Sequence, residues 1–315
     1  MKTRIISLLL CLLVLFGASS CTQPASVKKT DGVAITDDFG STARIDASSR
    51  VVCAYGSFAQ CWLLSGGTLV GVTEDAVNER KLDVGESAQI VGTVKQVNVE
   101  KVLSLEPDYV ILSADITAHA DVKRTLEKAG VACGMFRVDS FEDYAALMRR
   151  FCDVSGRQDL FEKHVEAVEE NIASIVSRVP EGEEKTFLLM RAFSTGIKVK
   201  TDNLAEDIPL ALGAVSIVGD NPSLLSDLSV EKIITEDPDY IFVLTMGDEN
   251  QALSYLKKEI ESDPAWNMLT AVQNGNYVVL PKDLFHYKPN NRWDESYEYI
   301  AKILYPEVFG ENDAQ

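Results

Sequence analysis

The feature that most restricts how this chain can fold is a duplication. Residues 99–112 read VEKVLSLEPDYVIL and residues 230–244 read VEKIITEDPDYIFVL. Each copy predicts a short helix with Glu near its start, a Pro-Asp-Tyr turn, and an apolar run opening at Tyr. Proline stops the helix, and an unbroken Val/Ile/Leu run is what a strand covered on both faces of a parallel sheet requires. Asn98 and Ser229 stand at the candidate helix caps. The chain therefore contains two α/β units, and its length exceeds what one core usually holds.

The flanking pattern extends both units. The first half predicts strands at 50–54, 69–72, 109–112 and 131–136, with helices at 58–64, 100–105 and 115–129. In the second half strands fall at 186–191, 216–218, 240–244 and 277–280. Helices there fall at 204–212 with an Asn203/Glu206 capping pattern, 230–235, 252–262 and 293–304. Between the halves, 157–179 lacks Gly and Pro and repeats apolar residues every three to four positions. That predicts one amphipathic helix of roughly 35 Å, long enough to act as a strut between lobes.

The N-terminus is a leader. Lys2 and Arg4 precede an apolar run from Ile5 to Phe16, then Gly17-Ala18-Ser19-Ser20 and Cys21. The run is too short to span a bilayer, which takes ~20 apolar residues. Cys21, directly after the small residues, resembles the acylated cysteine of a bacterial lipoprotein signal, although Ala18 stands where that pattern prefers Leu. Two acyl chains give a stable anchor. The expected organisation is a signal peptide at 1–20, a lipidated tether at 21–31, an N-terminal lobe at 32–155, a linking helix at 156–180 and a C-terminal lobe at 181–315.

The formal charge of −18 becomes more negative when the basic leader is removed. Such a surface repels phosphate backbones, so nucleic acid is not an expected partner. Cys53, Cys61, Cys133 and Cys152 lack metal or redox spacing and read as buried thiols, or as a source of one disulfide.

Ligands of open parallel sheets sit beyond the carboxyl ends of the strands. The loops there offer Tyr55, Phe58, Thr73, Glu74 and Thr93 in the first half. The second half offers Arg191, Phe193, Met246, Phe285, His286, Tyr287 and Arg292. Aromatic surface with single polar groups suits an organic ligand. Arg191 reads either as a partner for carboxylate or catecholate oxygens or as half of a structural ion pair. Of the three histidines, His286 is the candidate ligand contact; His119 reads as solvated and His164 as surface or packing. No nucleophile elbow, phosphate loop, dinucleotide fingerprint or zincin motif occurs, so no catalytic residue is assigned.

The repeated V-E-K elements, Gly71-Val72-Thr73, Val91-Gly92-Thr93, and the closing Trp266, Ala271-Val272-Gln273-Asn274-Gly275, Tyr277-Val278 and Tyr305-Pro306 resemble the helical-backbone class of substrate-binding proteins of ABC importers. That group serves iron–siderophore, haem and cobalamin uptake. The resemblance implies an α/β fold of two Rossmann-like lobes with mainly parallel sheets, one long interlobe helix and a ligand cleft between the lobes. It implies a non-enzymatic monomer with no cofactor and no resident metal. Its cargo would be a ferric siderophore, haem or corrinoid, delivered from outside the membrane to an ABC permease dimer with a cytoplasmic ATPase. Glu100 and Glu231 are the implied permease-docking carboxylates. The competing readings are a manganese or zinc carrier, and an extracytoplasmic enzyme with Cys53 or Cys61 as nucleophile.

Overall fold

A computed structural model describes residues 32–182, 184–199, 201, 203–220 and 230–310. Cys21, the leader and tether, and Ser229 lie outside them. The described chain opens with an antiparallel hairpin, β1 (Val33–Thr36) and β2 (Thr42–Ile45), whose Ile35 and Ile45 are buried. The first sheet follows: β3 (Val51–Cys53), β4 (Gly71–Val72), β5 (Gln89–Ile90), β6 (Tyr109–Ser113) and β7 (Ala132–Phe136). Its order is β5-β4-β3-β6-β7 with every pair parallel. β3 and β6 are buried throughout, as their apolar runs require.

The second sheet contains β8 (Thr186–Phe193), β9 (Gly196–Val199), β10 (Val215–Ser216), β11 (Tyr240–Thr245) and β12 (Tyr277–Val279). β10-β8-β11-β12 are parallel, and β9 returns antiparallel along β8. Both lobes are therefore wound outward in two directions from their first strand, β3 or β8.

The repeated Pro-Asp-Tyr has a shared structural cause. Asp108 Oδ2 accepts the Arg50 backbone N–H at 2.7 Å, and Asp239 Oδ2 accepts that of Thr186 at 2.8 Å. In each lobe the aspartate thus fixes the start of the neighbouring first strand while the following Tyr enters the sheet. The residue before each proline, Glu106 or Asp237, has positive φ (46° and 39°), so the turn is reproduced down to its backbone.

Several expectations need correction. Helix Phe141–Ser155 was not foreseen; a Ser140/Asp143 capping box starts it and Gly156, at φ 72°, ends it. The strut then runs from Gln158 to Ser177, about 30 Å, and is not uniform: Glu162–Glu166 forms a π-turn between two α segments. Half-buried His164 sits in that turn, and its carbonyl accepts the Tyr144 hydroxyl at 3.0 Å. The expected strand at 216–218 ends at Ser216, and helix Ile217–Asp220 follows. Asn98 caps its helix through its side chain, accepting Lys101 N–H, whereas Asn203 caps Leu204–Ala211 without a side-chain bond. Glu206 instead lies buried and accepts from Ser216 Oγ at 3.0 Å.

Each lobe has an apolar cluster of its own, Leu188 to Ala271 in the second and Val52 to Cys133 in the first, and a third joins them. This third cluster of buried side chains runs from Ile35 to Phe309 and includes Phe141 against Trp293, ring centroids 6.1 Å apart. Helix Trp293–Leu304 packs along the strut, and Asn171 donates to Asp294 at 2.7 Å.

Candidate functional site

In a doubly wound sheet a crevice opens where the strand order reverses, because the loops leaving the two central strands diverge to opposite faces. Here those reversals lie between β3 and β6 and between β8 and β11. Both point into one cavity of about 330 Å³. From the first reversal come Tyr55 and Asp115, from the second Arg191, Leu244 and Met246, and the segment after β12 adds Phe285, His286 and Lys288. Other hollows, about 300 Å³ against Arg137 and Arg150 and about 480 Å³ beside helix Glu249–Glu259, lie away from both reversals.

The C-terminal wall holds an incompletely satisfied cation. Arg191 Nε is buried with no hydrogen-bond partner among the described residues. Burial opposes its charge and the Glu206 carboxylate supports it. Beside it, burial first, then the charges of Lys282 and Arg191, push the His286 imidazole down to about 4. His286 is neutral at pH 7, so it can accept a hydrogen bond or offer a lone pair.

The N-terminal wall is internally paired. Lys288 Nζ bonds the Val138 carbonyl and lies 3.3 Å from Asp115 and 3.8 Å from Asp139, while Arg137 Nε lies 3.2 Å from the other Asp115 oxygen. Burial pushes the Tyr55 phenol up to about 12, so it remains protonated and able to donate. The segment carrying Lys288 is pinned to this lobe again: Arg80 donates to the Lys288 carbonyl at 2.9 Å and Asn290 to the Ser57 carbonyl at 3.1 Å.

Of the sequence candidates, Tyr55, Arg191, Met246, Phe285 and His286 meet on this cavity. The others do not. Phe58 is fully buried, edge-on to Tyr55 and Phe136, so it supports the wall from behind. Thr73 is fully buried, while Glu74 is exposed in the first turn of Glu74–Asn78. Thr93 lies in a tight turn closed by Thr93 and Gln96. Phe193 is half-buried under Lys198. Tyr287 and Arg292 line a separate cavity of about 220 Å³, where Arg292 is engaged by Asp283 and Glu295 at 2.8 and 2.7 Å. His119 is wholly buried rather than solvated.

Sequence reasoning missed Asp115 and Lys288 as site residues, although both lie in loops it had placed at strand ends; the weight given to aromatic surface hid them. Val138, Asp139, Asn203 and Leu204 also reach the wall. The four cysteines described are free and buried, and burial pushes the Cys61 thiol up to about 12, which is inert rather than nucleophilic. Among the described residues no three His, Cys, Asp or Glu side chains converge on a metal position.

Sequence comparison agrees with this architecture. A periplasmic binding protein family model matches residues 51–284, from the first core strand to the cavity-forming segment after β12. The chain belongs to the periplasmic binding protein family. This is a family of transport substrate-binding proteins, not of enzymes. It is 27% identical over 290 residues to YhfQ of Bacillus subtilis (strain 168), assigned by name as an ABC transporter substrate-binding lipoprotein; the match covers 87% of this chain and 89% of YhfQ. It is 26% identical to the Fe(3+)-citrate-binding protein YfmC of the same organism, covering 96% and 95% of the two chains. Among solved structures, Staphylococcus aureus SirA complexed with staphyloferrin B superposes with a TM-score of 0.67 at 18% identity, covering 88% of this chain and 98% of SirA. As a periplasmic binding protein, the chain needs a cavity that holds cargo and a surface that hands it over. No helix among the described residues is long and apolar enough to cross a membrane.

Proposed function

We propose that this periplasmic binding protein is the lipid-anchored, extracytoplasmic cargo receptor of an ABC importer, and that its cargo is a small ferric chelate presenting carboxylate or catecholate oxygens to Arg191. The observation that carries this reading is the buried Arg191 Nε, which has no hydrogen-bond partner among the described residues, on the cavity wall. A buried unpaired donor costs about 1–3 kcal/mol, and an anionic oxygen removes that cost with a charge-assisted bond. The volume, about 330 Å³, sits at the low end of the ~300–1,000 Å³ range of ligand sites. It favours a compact chelate over a corrinoid. The name of YfmC as a ferric citrate binder supports the same class.

Haem is the second reading, favoured by one feature: His286 is neutral and lines the cavity, as an axial donor must. Glu100 and Glu231, exposed in the first turns of repeat-related helices, would present paired carboxylates to a permease dimer, with Cys21 as the acylated anchor. Charge pairing of this kind sets orientation more than affinity.

The deciding measurement is a melting-temperature and absorbance screen of the full-length chain against ferric citrate, several ferric siderophores, haemin and cobalamin. Ligand at 100 times its Kd adds about 2.7 kcal/mol of stability. A shift with ferric citrate or a siderophore supports the proposal, a Soret change with haemin moves the assignment to haem, and no shift with any of them removes it. Replacing both Glu100 and Glu231 by Ala should abolish uptake with cargo affinity unchanged; uptake that survives removes the docking assignment.

A further inference from the structure

His119 lies wholly buried at the start of helix Thr117–Lys128, outside the cavity. The Ser113 backbone N–H, at the cavity end of β6, donates to its Nδ1 at 2.9 Å. Its Nε2 faces the Val94 carbonyl at 2.9 Å. These partners fix both the tautomer and the charge. A peptide N–H only donates, so Nδ1 is bare; a carbonyl only accepts, so Nε2 carries the proton. A second proton would set N–H against N–H in a site without water exposure.

Val94 belongs to a turn whose shape leaves little slack. Thr93 and Gln96 exchange backbone bonds at 3.2 Å, and Gly92 has φ +113° with no room for a Cβ, which would fall 2.4 Å from Gln96 O. Asn98 N–H then bonds the Val91 carbonyl at 2.7 Å while its side chain caps Val99–Ser104, the helix bearing Glu100. One imidazole therefore joins the strand end that supplies Asp115 to the cavity with the turn that seats the Glu100 helix.

We propose that His119 is a positioning residue: in its neutral form it staples the Glu100 helix to the cargo-facing end of β6, and protonation releases the turn. Asp75, on the helix after β4, is the charge that acts on it; the charged residues carried by the elements that adjoin it are Lys95 on the turn, Glu100 and Lys101 on the short helix, Asp115 beyond β6, and Asp121 and Lys123 on its own helix. Asp121 is engaged by Arg124, Lys123 by Asp37, and Asp115 by Lys288 and Arg137. Burial holds the imidazole below its ordinary range; the hydrogen bond to the Val94 carbonyl and, more weakly, the Asp75 charge pull the other way without overcoming it. A histidine depressed in the folded state gives its full stabilisation above its unfolded pKa of about 6.5, and that is lost as pH falls below it.

The effect on docking rests on the proposed role of Glu100; the staple does not, and the two are read separately. Amide exchange of residues 93–98 and of Ser113 in the full-length chain, corrected for intrinsic rate, should show opening that rises by up to tenfold per pH unit below about 6.5. His119→Gln, which does not titrate, should show opening flat with pH. A flat wild-type profile, or the same slope in the variant, overturns the staple. If the variant does not fold, ¹⁵N shifts of wild-type His119 decide: a neutral Nε2–H form persisting below pH 6.5 supports it, and titration at the ordinary value overturns it. Permease binding that falls with the same pH profile as the exchange supports the link to docking. Should Glu100→Ala leave permease binding intact while the exchange profile holds, the docking reading fails and the staple stands.

Discussion

The two walls of the cavity come from equivalent strand ends of duplicated lobes, yet they are electrostatically unlike. On the N-terminal wall Asp115 and Asp139 are answered by Lys288 and Arg137 within the protein. On the C-terminal wall Arg191 keeps a buried donor without a partner among the described residues. A satisfied network rigidifies, whereas an unsatisfied group is stabilised by whatever completes it. The contrast assigns architecture to the first wall and recognition to the second. It also shows how Lys288, a residue of the second half, came to serve the first: its segment is held there by Arg80 and Asn290.

The sharpest way to break this contrast is Arg191→Ala. If Arg191 anchors cargo, affinity for the chelate identified in the screen should fall by about 2–5 kcal/mol in binding free energy, with melting temperature unchanged or raised. Arg191→Lys should recover little, since a point charge does not reproduce the planar fork. Equal binding by wild type and the alanine variant would mean that recognition lies elsewhere.

Lys288→Met tests the opposite wall. Loss of a charged hydrogen bond and its ion pairs should destabilise the fold by roughly 1.5–3 kcal/mol in denaturant melts and leave cargo affinity within a fewfold of wild type. A loss of affinity as large as that of Arg191→Ala would make the two walls equivalent partners of the ligand.

The duplication offers a smaller comparison. Asp239 accepts from both the backbone and the hydroxyl of Thr186, whereas Asp108 holds the Arg50 backbone in a more exposed setting. Asp239→Ala should therefore cost about 1 kcal/mol more than Asp108→Ala, and equal losses would argue against the shared-cap explanation of the repeat. The smallest effect is that of acid. His286, with its pKa near 4, gives stability that is complete above about 6.5 and is lost as pH falls from there toward 4. In His286→Gln the pH dependence of melting over that window should flatten in part, the remaining histidine contribution belonging to His119 and His164, both of which burial also holds below their ordinary range.

Much of the fold was legible because its signals are local. The Pro-Asp-Tyr repeat placed β6 and β11, and helix Trp293–Leu304 was read to the residue from its apolar spacing. Helix Phe141–Ser155 is announced only by its Ser140/Asp143 capping box and apolar face, and lies outside the expected elements of the first half. β5 is two residues long and exists only through its neighbour, so no periodicity could announce it; β10, expected at 216–218, is shortened to Val215–Ser216. Of the residues expected beyond strand ends, Tyr55, Met246, Phe285 and His286 line the cavity, and Arg191 reaches it from within β8, which runs on to Phe193. Phe58 and Thr73 are instead buried away from the cavity, because position in a loop does not say which way a side chain turns.

The sequence by itself determined two α/β lobes, a strut and an acidic net charge, since each is written in short-range patterns of apolarity, proline and charge. Only the tertiary structure decided that Asp115 and Asp139 are paired within the protein while Arg191 Nε has no partner among the described residues, that Lys288 crosses to the first lobe, and that His119 is buried between two backbone groups. Those facts depend on which side chains meet across long separations, and pairing at a distance leaves no period in the chain.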